Sequence, residues 1–295
     1  MFLQLIEKDE RYFLYLINRL IEFLKENEIN CIRFFWWEPL VYLDKLIILI
    51  EILRKNWFNW QIIVNTNLHI NIVEYINFFK RYDINFITSL NWRFDIHSKT
   101  RGTDYKIYKK ILSNINLILN NQIDLQINFV FFPNDYINYD YYDNLNFIFD
   151  LWIKKINLLP LLYSKLLEKI DIDNYIQNIK NVVIRLVRNG WKERILNFSF
   201  LKRKANILPL FEDQLVLDYD WNFYSSMVIL ENYFEKYKDI MYLWNIETLD
   251  FVDLNVKIDY RLVYKILENK LWKIFINSIY VSNKFNNIFR QLKYI

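Results

Sequence analysis

Apolar and polar positions along the chain alternate in a rhythm that predicts strands and helices in turn. Short apolar runs that are typical of buried strands cover residues 31–35, 61–65, 85–90, 125–132, 155–159 and 181–187. Before and between these runs, apolar residues recur at the spacing of one helix face over residues 13–24, 42–55, 72–82, 104–119 and 141–151. Asp104 suits the first turn of the fourth of these helices. Repeated strand–helix units predict a parallel sheet covered by helices and joined by right-handed connections.

The pattern changes from about residue 195 onward. A hairpin is predicted around Asp220, between the strand-like runs 214–217 and 223–230, and helical patterns follow over residues 230–238 and 260–270. We therefore predict an α/β protein in which residues 1–190 form a partial (β/α) barrel of parallel strands. Residues 191–295 are predicted to form a smaller α+β C-terminal appendage.

Composition and charge indicate a globular protein and give no sign of a nucleic-acid or membrane partner. Hydrophobic residues make up 54% of the sequence, which argues against disorder, and charged residues interrupt the longest apolar stretches. The first ten residues lack the basic start and apolar run of a secretory signal, so we expect a cytoplasmic protein. The 38 basic and 34 acidic side chains give a net charge of +4, without a basic block suited to a phosphate backbone.

The cysteine and histidine content limits the metal chemistry of the chain. The single cysteine, Cys31, excludes an internal disulfide and any site that needs several thiolates from these residues. His69 and His97 are far apart in sequence, and neither has a second ligand at helical spacing. We therefore predict no metal site within the sequence.

Tryptophan stands at several places where the local pattern calls for glycine. The sequence has ten tryptophans and two glycines, whereas a chain of this length ordinarily has about twenty glycines. Trp221 lies at the predicted hairpin, where Asp-Gly is the common turn and where a tryptophan with positive φ is strained. The other tryptophans at turns or strand ends are Trp36, Trp37, Trp57, Trp60, Trp92, Trp152 and Trp244.

One hypothesis explains all of these positions. The codon UGA would be read as glycine in the source organism and would be translated here as tryptophan. The abundance of Asn, Ile, Lys, Phe and Tyr is typical of an AT-rich genome. The alternative is that the tryptophans are ordinary core aromatics, since tryptophan buries a large apolar area. We predict UGA codons at Trp36, Trp37, Trp92, Trp152, Trp221 and Trp244.

The residues after successive predicted strands form an ordered series of short motifs. With glycine in place of tryptophan, Gly-Gly-Glu-Pro follows the first strand at residues 36–39, and Thr-Asn ends the second at residues 66–67. Ser-Leu-Asn-Gly ends the third at residues 89–92, with His97 and Arg101 further on. Because ligands bind at the carboxyl ends of parallel strands, we expect four residues to converge there: Glu38, Asn67, Ser89 and Asn134.

In order and in position, this series resembles that of the radical S-adenosylmethionine (radical SAM) enzymes, particularly the peptide-modifying branch with a C-terminal SPASM or twitch extension. The resemblance covers roughly residues 10–190, and residues 210–255 resemble the extension more loosely. It implies S-adenosylmethionine and a 4Fe-4S cluster as cofactors, and a peptide substrate, a small-molecule substrate or a partner protein. The cofactor-binding residues that it implies are Trp36, Trp37, Glu38, Pro39, Asn67, Ser89, Asn91 and Arg101.

The resemblance also implies roles for these positions. The backbone of residues 36–39 would bind the amino group of the cofactor's methionine moiety, and two tryptophan side chains there would fill the pocket. Ser89 and Asn91 would help to place the ribose, and Arg101 would meet the carboxylate through a charge-assisted bond. Asn91 stands where the family often has Asp. The alternative for Ser89 and Asn91 is a strand cap followed by a turn.

The sequence departs from the family in its cysteines. The family holds its cluster with a CxxxCxxC motif after the first barrel strand, whereas this chain lacks that motif and has no cysteine in the appendage. Cys31 lies in a predicted strand, where it is typical of a small buried apolar residue. Either the sequence begins at an internal methionine downstream of the motif, which we expect, or the protein is a true cluster-less relative.

Two functions follow from these alternatives. In the first, the full-length protein cleaves S-adenosylmethionine reductively, and the resulting 5′-deoxyadenosyl radical modifies a peptide or small molecule. In the second, the protein is a cluster-less pseudoenzyme that binds a peptide or a partner. In either case we expect the 295-residue chain as written to be inactive.

Overall fold

The elements of the fold are taken from a computed structural model, which describes residues 10–27, 29–34, 38–56, 58–90, 94–133, 140–162, 164–199, 216–217, 221–224, 238–248 and 272–293. In chain order the helices and strands are α1 (Glu10–Glu26), β1 (Cys31–Phe34), α2 (Leu43–Lys55), β2 (Gln61–Thr66), α3 (Ile76–Arg81), β3 (Ile84–Ser89), α4 (Phe94–Arg101), α5 (Tyr105–Asn120), β4 (Leu125–Phe131), α6 (Tyr141–Asp150), β5 (Lys155–Pro160), α7 (Ile172–Arg188), β6 (Val216–Leu217), β7 (Asn222–Tyr224), α8 (Lys238–Met241), β8 (Tyr242–Asn245) and α9 (Trp272–Leu292).

The chain divides into two compact units. The larger comprises Asn30–Leu46, Asn59–Ala205 and Tyr280–Ile295, and the smaller comprises Met1–Ile29, Ile47–Phe58 and Asn206–Ile279. The domain boundary near residue 190 stays a prediction. None of the helices in the described ranges is both long and apolar enough to cross a membrane.

The larger unit contains a five-stranded sheet in the order β1-β2-β3-β4-β5, in which every neighbouring pair is parallel. This confirms the predicted α/β class with consecutive strand–helix units. The bounds of all five strands agree with the predicted runs to within one residue at each end. Apolar runs identified them because β2, β3, β4 and β5 each bury apolar residues of one face, and β2 and β3 also bury Ile63 and Ile87 on the other.

The two faces of this sheet differ in chemistry. Side chains alternate between faces along each strand, and the register between strands determines which residues share a face. The apolar face carries Ile32, Phe34, Ile62, Val64, Thr66, Ile84, Phe86, Thr88, Leu125, Ile127, Phe129, Phe131, Ile156, Leu158 and Pro160. The polar face carries Cys31, Arg33, Gln61, Ile63, Asn65, Asn85, Ile87, Ser89, Gln126, Asn128, Val130, Lys155, Asn157 and Leu159.

Aromatic contacts join three helices to the apolar face. Phe79 of α3 meets Phe86 edge-on, with 5.0 Å between ring centroids, and Tyr141 of α6 meets Phe131 at the same distance. Phe285 of α9 also contacts Phe131, at 6.3 Å. The core of the larger unit therefore lies between this face and its helices, where edge-to-face pairs add to the burial of apolar area.

The strand predicted over residues 181–187 is wrong, because this segment lies within helix α7. Asp171 caps the helix by accepting hydrogen bonds from two backbone N–H groups of the first turn. Tyr175, Ile179 and Val183 then recur at four-residue spacing and are buried on one face. The β-branched residues of the segment suggested a strand locally, whereas the capped amphipathic pattern extends over 17 residues.

Three further elements were not predicted: α4, β8 and α9. Of these, α4 has little apolar periodicity, since only Ile96 and His97 of its described side chains are buried. Of the helix predicted over residues 230–238, only Lys238 is described, at the start of α8. The helix predicted over residues 260–270 and Asn134 lie outside the described residues.

The smaller unit contains the antiparallel sheet β6-β7-β8. Leu217 pairs with Phe223, which confirms the predicted hairpin, although Asp220 lies outside the described residues. Beyond the turn, the backbone N–H of Ile246 donates to the carbonyl of Trp221 at 2.9 Å.

Two of the tryptophans have the left-handed backbone that favours glycine. Trp152 has φ 63° and Trp221 has φ 64°, close to the φ of 62° at Gly102. Trp152 is 77% exposed, whereas Trp221 is 2% exposed. Three residues of other types, Leu68, Asp83 and Gln122, also have positive φ. Trp36, Trp37 and Trp92 lie outside the described residues, and codon recoding stays a prediction.

Candidate functional site

The loops after β1 and β2 are joined by one buried carboxylate. Glu38, 6% exposed, precedes a 3₁₀ turn that begins at Pro39. Its Oε1 accepts hydrogen bonds from the Thr66 hydroxyl at 2.6 Å and from the backbone N–H of Leu40 at 3.1 Å. Its Oε2 accepts from the backbone N–H of Asn67 at 2.8 Å. Three donors satisfy this carboxylate, so it holds the two loops together.

The loop after β2 is fixed from its other side by helix α5. Asn114, 3% exposed, donates through Nδ2 to the carbonyls of Leu68 and Ile70, at 2.8 and 2.6 Å. Leu68 has φ 57°, and its N–H donates to the Thr66 hydroxyl at 2.9 Å. This bond and those of Asn114 hold an unfavourable backbone conformation in place.

His69 lies beside the buried carboxylate. Its Nδ1 is 3.6 Å from Glu38 Oε2 and makes a short contact with Asn67 Oδ1, which also accepts from the His69 backbone N–H at 3.1 Å. The imidazole is one-third exposed. Within the described part of the chain, no three His, Cys, Asp or Glu side chains are grouped so as to hold a metal ion. His69 therefore contacts the side chains of Glu38 and Asn67, which join the loops after β1 and β2.

Of the predicted site residues, the structure brings Glu38 and Asn67 into direct contact. Ser89 ends β3 on the polar face and is half-buried. Arg101 ends α4, and desolvation lowers the pKa of its guanidinium, which is nevertheless solvent-exposed and remains protonated at neutral pH. The predicted site residues Trp36, Trp37 and Asn91 lie outside the described residues.

Two tyrosines that the sequence analysis did not single out fix the carboxyl ends of β4 and β5. Tyr175 of α7 donates to the carbonyl of Phe131 at 2.7 Å and accepts from the N–H of Leu161 at 2.9 Å. Burial raises the pKa of Tyr175 well above 10, so its hydroxyl stays neutral. Tyr141 donates to the carbonyl of Phe132. Their position on helix faces was visible in the sequence, but their strand partners were not.

The cysteine content does not fit an iron–sulfur cluster. Cys31 is half-buried on β1, and desolvation raises the pKa of its thiol, with Arg33 acting in the opposite direction. A raised thiol pKa disfavours the thiolate that binds iron. One such group cannot replace the several thiolates that a 4Fe-4S cluster needs.

Comparison with known proteins identifies the fold. No protein-family model matches the chain, and no curated protein matches it. A solved structure of native anSMEcpe with bound AdoMet (S-adenosylmethionine) and Kp18Cys peptide is 15% identical, with a TM-score of 0.70 over 95% of this chain and 89% of that one. SuiB of Streptococcus suis, bound to its precursor peptide SuiA, is 14% identical, with a TM-score of 0.53 over 85% of this chain and 59% of that one.

The chain has the fold of both proteins, one of which holds AdoMet and a peptide and the other a precursor peptide. At these identities the likeness concerns the arrangement of helices and strands. The fold implied by the motifs at the strand ends is confirmed.

Proposed function

We propose that this chain forms the S-adenosylmethionine-binding barrel of a radical SAM protein that acts on a peptide or a small molecule. The observation that supports the proposal most strongly is the fold, which matches 95% of the chain to a structure holding AdoMet and a peptide. The ordered motifs at the ends of β1, β2 and β3 support it independently, because they are patterns of residues and do not depend on the likeness of the fold.

The anchored loops favour recognition of the cofactor by backbone groups. The Glu38 carboxylate is buried and engaged by Thr66, Asn67 and Leu40, so it is occupied within the protein. The backbone of residues 36–39 would then bind the methionine amino group. The hydrogen bonds that fix Glu38 would reduce the entropy lost on binding at this end of the segment.

The remaining proposed contacts use a hydroxyl, an amide and a cation. Ser89 and Asn91 would bind the ribose, and exposed Arg101 would pair with the carboxylate. When bound, S-adenosylmethionine is the precursor of a 5′-deoxyadenosyl radical, which requires one electron from a cluster. The cysteine content of this chain does not supply that cluster.

Equilibrium dialysis against labelled S-adenosylmethionine tests the proposal. The Trp36→Gly, Trp37→Gly double variant is expected to bind at least tenfold more tightly than the chain as written, because the resemblance implies that two indoles at these positions would crowd the cofactor. In that background, Arg101→Met should weaken binding by about tenfold, the effect of losing about 1.4 kcal/mol. Lys99→Met, which removes a charge from an exposed residue of the same helix, is the matched control. Absence of binding to the double variant at millimolar ligand would refute the proposal.

A second candidate is a cluster-less binding protein, which the single half-buried cysteine favours. Anaerobic reconstitution with iron and sulfide, followed by an assay for 5′-deoxyadenosine, separates the two functions. The chain as written, and its glycine variant, should produce none. Product from either variant would contradict our account of the missing ligands.

A further inference from the structure

Carboxamide side chains occupy only one face of the parallel sheet. Asparagine is disfavoured in strands, and an AT-rich genome would add it to both faces equally. Every carboxamide in these five strands nevertheless lies on the polar face: Gln61, Asn65, Asn85, Gln126, Asn128 and Asn157. Burial of the opposite face excludes unpaired amides from it, so all the hydrogen-bonding side-chain amides of the sheet are presented together on the polar face.

Three of these side chains form a hydrogen-bonded cluster across β4 and β5, here called the amide cluster: Gln126, Asn128 and Asn157. Asn128 and Asn157 are directly opposite each other in the register. The Oδ1 atom of Asn128 accepts from Gln126 Nε2 at 2.9 Å and from Asn157 Nδ2 at 3.2 Å. Two donors aimed at one oxygen fix the orientation of the central amide, with its Nδ2 facing away from them.

The cluster retains unused hydrogen-bonding groups. Within the described ranges, the Nδ2 of Asn128 and the carbonyl oxygens of Gln126 and Asn157 have no protein partner. All three side chains are half-buried. On the same face, Asn65 Oδ1 is buried and has no partner among the described residues. The groups of the amide cluster are therefore accessible, and a ligand that supplies both a donor and an acceptor would bond to them without displacing a protein contact.

Charge on the polar face limits what that ligand can be. Its strand residues include no carboxylate and only two cations, Arg33 and Lys155. Lys155 is paired with Asp124 at 2.6 Å. The amide cluster itself is therefore neutral. A carboxamide matches it, because its carbonyl can accept from Asn128 while its N–H donates to Gln126 or Asn157.

The cluster also lies next to a proposed cofactor residue. Ser89, Asn128 and Asn157 form one register row across three adjacent strands, which are about 5 Å apart. If Ser89 contacts the cofactor, the row continues away from it onto the part of the sheet where a second reactant would lie.

We propose that the amide cluster binds a carboxamide group of the substrate, either a peptide bond or an Asn or Gln side chain, and thereby selects a neutral peptide. This inference rests on the proposed function, which makes Ser89 part of the cofactor site. It adds a substrate-reading role for Asn128 and its two partners.

Titration with a small neutral diamide, followed by NMR of the side-chain NH₂ groups of Asn128 and Asn157, tests this role in the full chain. The probe is N-acetylglycine N′-methylamide, and its control is N-acetylglycine methyl ester, which lacks one N–H. The diamide is expected to shift both signals saturably, at least threefold more tightly than the ester. Asn128→Leu should abolish saturable binding, while Gln61→Leu, which removes an exposed amide from the same face, should leave it unchanged.

Several results would overturn the inference. These are equal affinity for diamide and ester, no saturable shift, or equal loss of binding in the two variants. Loss of S-adenosylmethionine binding in Asn128→Leu, with diamide binding retained, would assign the cluster to the cofactor instead. If Asn128→Leu melts at a lower temperature than the parent, Asn157→Leu is used in its place, with the same expected loss. Cofactor dialysis is a separate measurement, so failure of the proposed function and failure of this inference are distinguishable.

Discussion

The two faces of the parallel sheet are formed by the same five strands but differ in what their side chains do. On β4 the apolar face carries Phe129 and Phe131, each 0% exposed, while Asn128 and Val130, which alternate with them on the other face, are half-buried. Phe131 is packed against helices α6 and α9, whereas the polar face bears hydrogen-bonding groups that the described residues do not use. One face therefore packs the core of the larger unit, and the other is the face that we propose for recognition. Substitutions on the two faces should separate stability from binding.

The largest expected effect is on the apolar face. Phe129→Ala should lower the free energy of unfolding by about 3–5 kcal/mol, because it leaves a cavity among buried rings. Val130→Ala, the next residue along the strand and on the other face, should cost less than half as much. Urea denaturation measures both. Equal losses would show that the two faces contribute alike to stability.

A smaller effect is expected from the two threonines that interrupt the apolar face. Thr66 and Thr88 are opposite each other in the register, but only the Thr66 hydroxyl bonds Glu38 and Leu68. The Thr88 hydroxyl is buried without a partner among the described residues. Thr66→Val should cost about 1–3 kcal/mol, and Thr88→Val should be neutral or stabilising.

Thermal melts of the two valine variants, recorded side by side, check this pair. If Thr88→Val lost as much stability as Thr66→Val, the hydrogen bonds of the Thr66 hydroxyl would not be the source of the loss.

The next effect concerns the turn that leads into β5. This turn helps to set the register of β5, and a shift of one residue in that register would move every side chain of the strand to the opposite face. Trp152 holds this turn at φ 63° with 77% of its side chain exposed. Trp152→Gly should raise the free energy of unfolding by about 0.5–1 kcal/mol, because it relieves left-handed strain without losing much packing.

The control for this turn is Trp191, which has φ −84° and stacks on Phe149 with 4.5 Å between ring centroids. Trp191→Gly should destabilise the protein. A destabilised Trp152→Gly variant would contradict the strain argument.

The smallest effect is expected in the amide cluster. Asn157→Leu should change the free energy of unfolding by no more than about 0.5 kcal/mol, because the half-buried leucine keeps the volume and Asn128 keeps its bond from Gln126. Chemical denaturation of this variant measures the change. A loss above about 2 kcal/mol would make the cluster a structural network.

Sequence patterns predicted the sheet well because its strands coincide with short runs rich in apolar residues. They failed at residues 181–187, where β-branched side chains inside α7 suggested a strand. Base composition concealed other features: among many asparagines, nothing marks Asn114 as the residue that holds the loop 46 positions earlier.

The candidate site was predictable only in part. The motifs placed Glu38 and Asn67 at neighbouring strand ends, and the structure joins them by a hydrogen bond. The direction of that bond and the position of His69 beside it depend on how the backbone turns after β2. The ties from Tyr141 and Tyr175 depend on helix packing. Contacts of this kind join distant segments and leave no periodic signal.

The left-handed backbone at Trp152 and Trp221, which favours glycine, has a consequence for the choice of gene and host in producing the protein. If these codons are UGA, a laboratory host that terminates at UGA would release a fragment at the first of them, after Phe35 under the predicted codon set. A host that inserts tryptophan would give a full-length chain with bulky side chains in turns that evolved around glycine. A synthetic gene with ordinary glycine codons would instead give a chain with the natural residue at each of these positions, and preparations from the three routes would not be interchangeable in any assay.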